Sequence, residues 1–187
     1  MRTLGKEYWI TLSILNIFAF ANSSDAFLLL KAHDVGLSGL KVVLAYALYN
    51  ASYSLLSSPA GKLSDRFGRW KIIGTGWAIY SAVYAGIAIT NTSSIWLLFI
   101  GYGVYMSLTE GISKALVIDT APPNRRGTAL EILYLCLGLT ALTSNLVAGF
   151  LWDNFGTSSP FWLGAMTSAV ATVVALNFQK SQSRELI

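Results

Sequence analysis

The sequence predicts an all-α integral membrane protein with six transmembrane helices arranged as a 3+3 inverted repeat. Three observations carry that prediction. The first is composition: the 187 residues are 54% hydrophobic and only 12% charged, against about 25% charged for a soluble domain. Residues 72–109, 132–152 and 154–179 contain no Asp, Glu, Lys or Arg. Uncharged runs of about 20 residues suffice to cross a hydrocarbon core of about 30 Å as helices. The second is an internal echo at an offset of 88 residues. Gly61, Leu63, Asp65, Phe67 and Gly68 recur as Gly149, Leu151, Asp153, Phe155 and Gly156. Lys62, Arg66, Arg69 and Lys71 have no basic counterparts in the second copy. A segment that keeps its glycines and loses its positive charge fits one hairpin placed on opposite sides of a membrane.

The third observation is the distribution of bases. Loop signals divide the chain into six spans at roughly 8–30, 40–60, 72–90, 94–118, 128–152 and 160–178. With both termini on the cytoplasmic side, that side holds Arg2, Lys6, Lys62, Arg66, Arg69, Lys71, Lys114, Arg125, Arg126, Lys180 and Arg184. The outer side holds Lys31 and Lys41. Such a bias orients a multi-pass protein in a cell (inner or plasma) membrane.

Each span has its own breaker. Asp34 to Gly39 ends the first, and a loop from Asp65 to Lys71 ends the second, with Pro59 expected to bend it. Asn91 to Ser94 ends the third, and the tandem Pro122-Pro123 ends the fourth. Thr128 and Glu131 have the spacing of a capping box for the fifth. Asp153 to Pro160 precedes the sixth. The whole chain, 1–187, reads as one six-helix transmembrane domain with repeats at about 8–90 and 94–178. The first apolar run is too long for a cleavable signal peptide and lacks a small-residue cleavage pattern.

Polarity is uneven among the spans. The first carries Asn16, Asn22, Ser23, Ser24 and Asp25, and the fourth carries Ser107, Thr109, Glu110 and Ser113. The second and fifth carry amides, Asn50 and Asn145 among them. The third and sixth have small residues one turn apart instead: Ala78, Ala82 and Gly86, then Gly164, Ser168 and Thr172. That spacing lets helices pack closely in lipid.

Other chemistries are excluded by residue content. One histidine and one cysteine, Cys136, give no zinc site and no intrachain disulfide. His33 and the run Gly36-Leu37-Ser38-Gly39 superficially suggest a serine protease, yet Ser and His lie in one short loop rather than on opposing helices. The chain has no phosphate-binding loop, no cofactor site is expected, and the net charge of +4 is no nucleic-acid footprint.

The segment Gly61-Lys62-Leu63-Ser64-Asp65-Arg66-Phe67-Gly68-Arg69-Trp70-Lys71 resembles the signature loop between the second and third helices of a six-helix half in the major facilitator superfamily. Trp70 stands where a base is usual. The stretch Leu108-Thr109-Glu110-Gly111, Lys114-Ala115, Asp119 and Pro122 to Ala129 looks like the helix 10 to helix 11 region of bacterial members. Asn22 to Leu29 looks like their helix 7. The chain therefore resembles the carboxy-terminal six-helix half of such a transporter, with the other half absent.

The resemblance implies secondary active transport of a small solute by alternating access, rocking against a second six-helix half. That half is a separate chain, a missing amino-terminal half or a second copy. It also implies a conformational latch at Gly61, Asp65, Arg66, Gly68 and Arg69. The alternative is a truncated or non-transporting subunit that binds another membrane protein.

Residues inside the spans supply the cavity and coupling candidates: Asn22, Asp25, Glu110, Lys114 and Asn145. An acid within a span is costly and is a functional candidate by default. Asp25 either faces a cavity or lies at the outer interface near Lys31 and His33. Glu110 and Lys114, four apart, share a face and can pair. The proton is the default coupling ion, with Asp25 or Glu110 as carrier. Asp119 is expected to pair with Arg125 or Arg126. Tyr46, Tyr49, Tyr102 and Tyr105 lie deep enough to line a cavity or to pack. Trp9, Trp96, Trp152 and Trp162 suit an interfacial belt.

Overall fold

The computed structural model describes residues 4–185, with side chains described to Lys180; Arg2 lies outside this range and the side chain of Arg184 is not described. Its elements are α1 Lys6–Ala21, α2 Asp25–Asp34, α3 Gly39–Phe67, α4 Arg69–Ala88, α5 Ile95–Thr120, a 3₁₀ turn Pro123–Arg125, α6 Arg126–Phe155 and α7 Ser159–Glu185. The fold is all-helical over the described residues, as expected. Among the described residues, four stretches are long and apolar enough to cross a membrane: Lys6–Asp34, Ile95–Thr120, Pro123–Phe155 and Ser159–Lys180. The other two expected spans are α3, diluted by Asn50, Tyr53 and five serines, and α4, which has bases in its first turn and Tyr, Trp, Ser and Gly beyond.

Three boundaries depart from expectation. The first span is two helices, because Asn22, Ser23 and Ser24 are poor interior helix formers whose side chains compete for backbone groups. Ser24 caps the second piece, its Oγ accepting from Ala26 N at 3.3 Å. The signature segment is not a loop. α3 runs on past Pro59 to Phe67, and Gly68 alone separates it from α4. Gly68 has φ +95°, and Gly156, its match in the 88-residue sequence echo, lies between α6 and α7 with φ +92°. Both positions need the left-handed region that favours glycine, so the two glycines recur for a shared backbone reason. Finally, α6 starts at Arg126, so Thr128 and Glu131 lie inside it and form no capping box.

Packing is paired across the chain. α1 and α5 touch through Phe18 and Tyr105; α1 rests on α6 and α7, and α5 rests on α3 and α4. α4 packs extensively on α7. Gly103 allows α3 and α5 to meet: a Cβ there would overlap Ser52 Oγ and come within 2.5 Å of the Tyr49 carbonyl. Along α4 and α7 the contact uses Ser81, donating to Ala165 O at 2.7 Å, and Ser168, donating to Trp77 O at 2.8 Å. Ala78 and Ala82 point outward instead, so the close stripe on α4 is Gly74, Trp77, Ser81 and Tyr84. The core is aromatic. Phe18 stacks on Trp77 with centroids 4.6 Å apart, and Tyr80, Tyr84, Tyr102, Tyr105 and Phe161 surround them. By contrast, α6 is mostly exposed, with Leu135, Leu139, Leu142, Leu146 and Phe150 on its surface.

Candidate functional site

The break between α1 and α2 leaves backbone groups without helical partners, and neighbouring helices supply them. Ser144 on α6 donates to Phe20 O at 2.9 Å. Tyr80 on α4 donates to Ala21 O at 2.8 Å. Ser24 N donates to Asn145 Oδ1 at 2.7 Å. Without such partners each freed group would cost several kcal/mol in hydrocarbon. Asn145 is thus a support of the discontinuity rather than a residue of the cavity wall.

Asp25 begins α2 and is half-buried. Tyr102 Oη donates to its Oδ1 at 2.7 Å, and Tyr49 Oη donates to its Oδ2 at 3.2 Å. The helix amides of α2 face the same carboxylate end, a favourable place for a negative charge. Lys31 is not its neighbour: Lys31 Nζ lies 3.0 Å from Asp34 Oδ2. Of the deep tyrosines, Tyr102 and Tyr105 are buried in the aromatic core, with Tyr105 also on the wall of a cavity below the break; Tyr49 is buried against Asp25, and Tyr46 is exposed.

A cavity of about 260 Å³ lies below the break, among α1, α5 and α6, with Trp77 of α4 on one wall. Asn22, Glu110 and Lys114 all border it. Asn22 Oδ1 is buried with no hydrogen-bond partner, and Glu110 is its counterpart at the repeat offset. Glu110 and Lys114 pair at 2.9 Å, as their spacing implied. Tyr53 of α3 donates to the other Glu110 oxygen at 2.5 Å. The cavity therefore has apolar and aromatic walls interrupted by Asn22, Thr109, Ser113 and one balanced ion pair.

At the Gly68 junction, Arg69 Nε donates to Asp119 Oδ2 at 2.6 Å. The same guanidinium reaches Asp65 at 3.8 Å. Asp119 is therefore paired across the bundle with α4, not with Arg125 or Arg126, because α5 ends beside the first turn of α4. Arg66 lies over the Phe67 ring at 5.2 Å. Gly61 has open space around its Cα and borders a cleft of about 190 Å³ with Ser64, Asp65 and Arg69, so no close backbone approach explains it. Trp70 is buried and packs edge-on against Phe178. Sequence reading missed Tyr53, Tyr80 and Ser144, whose signal is only a hydroxyl within an apolar span.

Long apolar helices around an internal polar site define a multi-pass membrane protein. Residues 10–185 match the model of the Major Facilitator Superfamily. Over 183 residues the chain is 32% identical to an uncharacterized MFS-type transporter of Methanocaldococcus jannaschii, covering 94% of this chain and 46% of that protein. It is 23% identical to the riboflavin transporter RibZ of Clostridioides difficile over 92% of this chain and 39% of that one. It is 22% identical to the inner membrane transport protein YajR of Escherichia coli over 75% of this chain and 31% of that one. The chain belongs to the Major Facilitator Superfamily, a family of membrane transporters rather than enzymes. It spans less than half the length of these relatives.

Proposed function

We propose that the chain is the carboxy-terminal six-span half of a secondary active transporter, built as a 3+3 inverted repeat over about 8–90 and 94–178. The observation that carries this reading is the broken first span. Irregular backbone at membrane depth is tolerated where it is held by protein or borders a cavity, and transporters place substrate and ion sites at such breaks. Here the break is satisfied by Ser144, Tyr80 and Asn145 and opens beside the cavity. The paired packing of α1 on α6 and α7, and of α5 on α3 and α4, supports the repeat, as do the matched angles of Gly68 and Gly156.

Six spans each cross the bilayer, with both termini cytoplasmic in a cell membrane. A small solute occupies the cavity, and a second six-helix half covers it. The Arg69–Asp119 and Arg69–Asp65 pairs form the latch on the cytoplasmic side. Asp25 is the proton carrier. Its donors are two neutral hydroxyls, so protonation changes the local charge. Glu110 is neutralised by Lys114 and serves as a cavity wall.

Proteoliposomes test the reading. The purified chain is reconstituted alone and together with a candidate second six-span half. A pH gradient is imposed, and solute-dependent proton flux is read with entrapped pyranine across a panel of small solutes. Flux from the assembled form supports transport. A chain that inserts fully and gives no flux in either form is instead a non-transporting subunit, a role its exposed apolar α6 face would suit.

A further inference from the structure

The 88-residue offset relates two contacts as well as two sequences. It places Arg69 on Thr157 and Lys31 on Asp119. At the Gly68 junction, Arg69 binds Asp119 at 2.6 Å. At the Gly156 junction, Lys31 Nζ donates to Thr157 Oγ1 at 2.8 Å. The same two positions are bonded in both copies, with the base moved from one partner to the other. The second copy of the signature segment lost its own bases, and α2 supplies one in their place.

Lys31 is not placed as a topology signal or an interfacial anchor. A lysine at a span end ordinarily extends its ammonium to water, whereas the side chain of Lys31 is only 7% exposed. An ammonium has three donors, and here three acceptors meet it: Asp34 Oδ2 at 3.0 Å, Thr157 Oγ1 at 2.8 Å and Ser158 Oγ at 3.4 Å. Thr157 in turn donates to Asp34 at 2.8 Å, and Ser158 donates to Ala88 O at 2.6 Å. The cluster ties the end of α2 to the start of α7 and the end of α4. Asp25, at the other end of α2, is held by Tyr49 and Tyr102. Since α2 is ten residues joined to α1 through non-helical Asn22–Ser24, its direction is fixed by these two ends.

We propose that Lys31, with Asp34 and Thr157, is a second latch at the opposite end of the bundle, a charge-moved counterpart of Arg69–Asp119. It rests on the alternating-access reading above. Lys31 is a positioning residue that holds α2, and Asp25 with it, against α7 and keeps that end closed. The cavity lies toward the Arg69–Asp119 end, among Leu15, Glu110, Lys114 and Leu133, so the two latches guard opposite faces. Releasing them shifts the equilibrium in opposite directions.

The test uses the full chain, assembled with its second half, carrying Cys136→Ala and a cavity-lining Ala19→Cys reporter. A membrane-impermeant maleimide is applied to right-side-out and everted vesicles. Lys31→Met raises labelling from the α6–α7 junction face by roughly five- to tenfold and lowers it from the other face, and Asp119→Asn does the reverse. The Lys31→Asp/Thr157→Arg double variant rebuilds the Arg–Asp pair and returns both rates to within about twofold of the parent. A Lys31→Met chain that keeps the parent's ratio overturns the second latch, and so does a double variant that fails to fold or to restore the ratio. Should Lys31→Met not fold, the double variant decides alone. A parent labelled equally from both faces, with no variant altering it, overturns the alternating-access reading as well; a sided parent with an unresponsive Lys31 variant sinks the latch only.

Discussion

Tyr102 donates its hydroxyl to Asp25 across 2.7 Å, joining the amino-terminal third of α5 to the first turn of α2. Tyr49 of α3 reaches the other carboxylate oxygen. The acid is therefore held by hydroxyls from two helices at the point where the first span is interrupted. Replacing Tyr102 with Phe removes the shorter bond and leaves the ring in the aromatic core. The expected cost is about 1–2 kcal/mol of stability, with a larger fractional loss of gradient-driven uptake than of solute exchange. Thermal unfolding in detergent and the two transport assays, run on the same preparation, check this.

The interruption itself depends on three neighbours. Asn145→Ala leaves Ser24 N without its acceptor, and Tyr80→Phe leaves Ala21 O without its donor. Tyr80→Phe strands a buried carbonyl and should destabilise by about 1–3 kcal/mol, whereas the Ser24–Asn145 bond is exposed and Asn145→Ala should cost about 0.5–1.5 kcal/mol. Because both act on one short segment, the double variant should deviate from the sum of the singles. Additive losses measured in a double-mutant cycle would show that the segment is not a single unit.

Glycine-to-alanine changes should rank by cause. Gly103→Ala is the worst, because its methyl meets Ser52 and the Tyr49 carbonyl inside the α3–α5 contact. Gly68→Ala and Gly156→Ala have room but the wrong backbone angle, and should cost about 1–2 kcal/mol each. Gly61→Ala has neither problem in this bundle and, inside α3, should stabilise by about 0.5–1 kcal/mol. A transport defect in a stable Gly61→Ala chain would place a partner surface at that glycine.

Sidedness is checked by single cysteines in a Cys136→Ala background. Those replacing Lys62 or Asn124 should react from the cytoplasmic face, and those replacing Ser93 or Asn154 from the outer face. All four positions are exposed, whereas Ser64, in the signature segment, is buried and unsuitable. Reversed reactivity would overturn the orientation drawn from the bases.

The all-helical, membrane-type fold was legible because lipid demands long uncharged helices. The glycines of the 88-residue echo recur at matching backbone angles, and Glu110–Lys114 follows from helical spacing. What escaped depends on contacts between distant elements. The break at Asn22–Ser24 looks like one polar patch in a long apolar span until Ser144 and Asn145 are seen beside it. Asp119 chose Arg69 over nearer bases because helix ends, not sequence neighbours, meet at that corner. The burial of Lys31 could not be read from a lysine near a loop, since its acceptors Thr157 and Ser158 are more than 120 residues away.

Coupling is the central claim, and one comparison tests it most directly. Uphill uptake and downhill solute exchange are measured side by side for Asp25→Asn and Glu110→Gln in the assembled transporter. A neutral amide mimics the protonated acid. Asp25→Asn should therefore lose uphill uptake and keep exchange, while Glu110→Gln, which leaves Lys114 uncompensated at the cavity wall, should impair both. Full uphill transport by a folded Asp25→Asn chain would contradict the account and return Asp25 to a structural polar group.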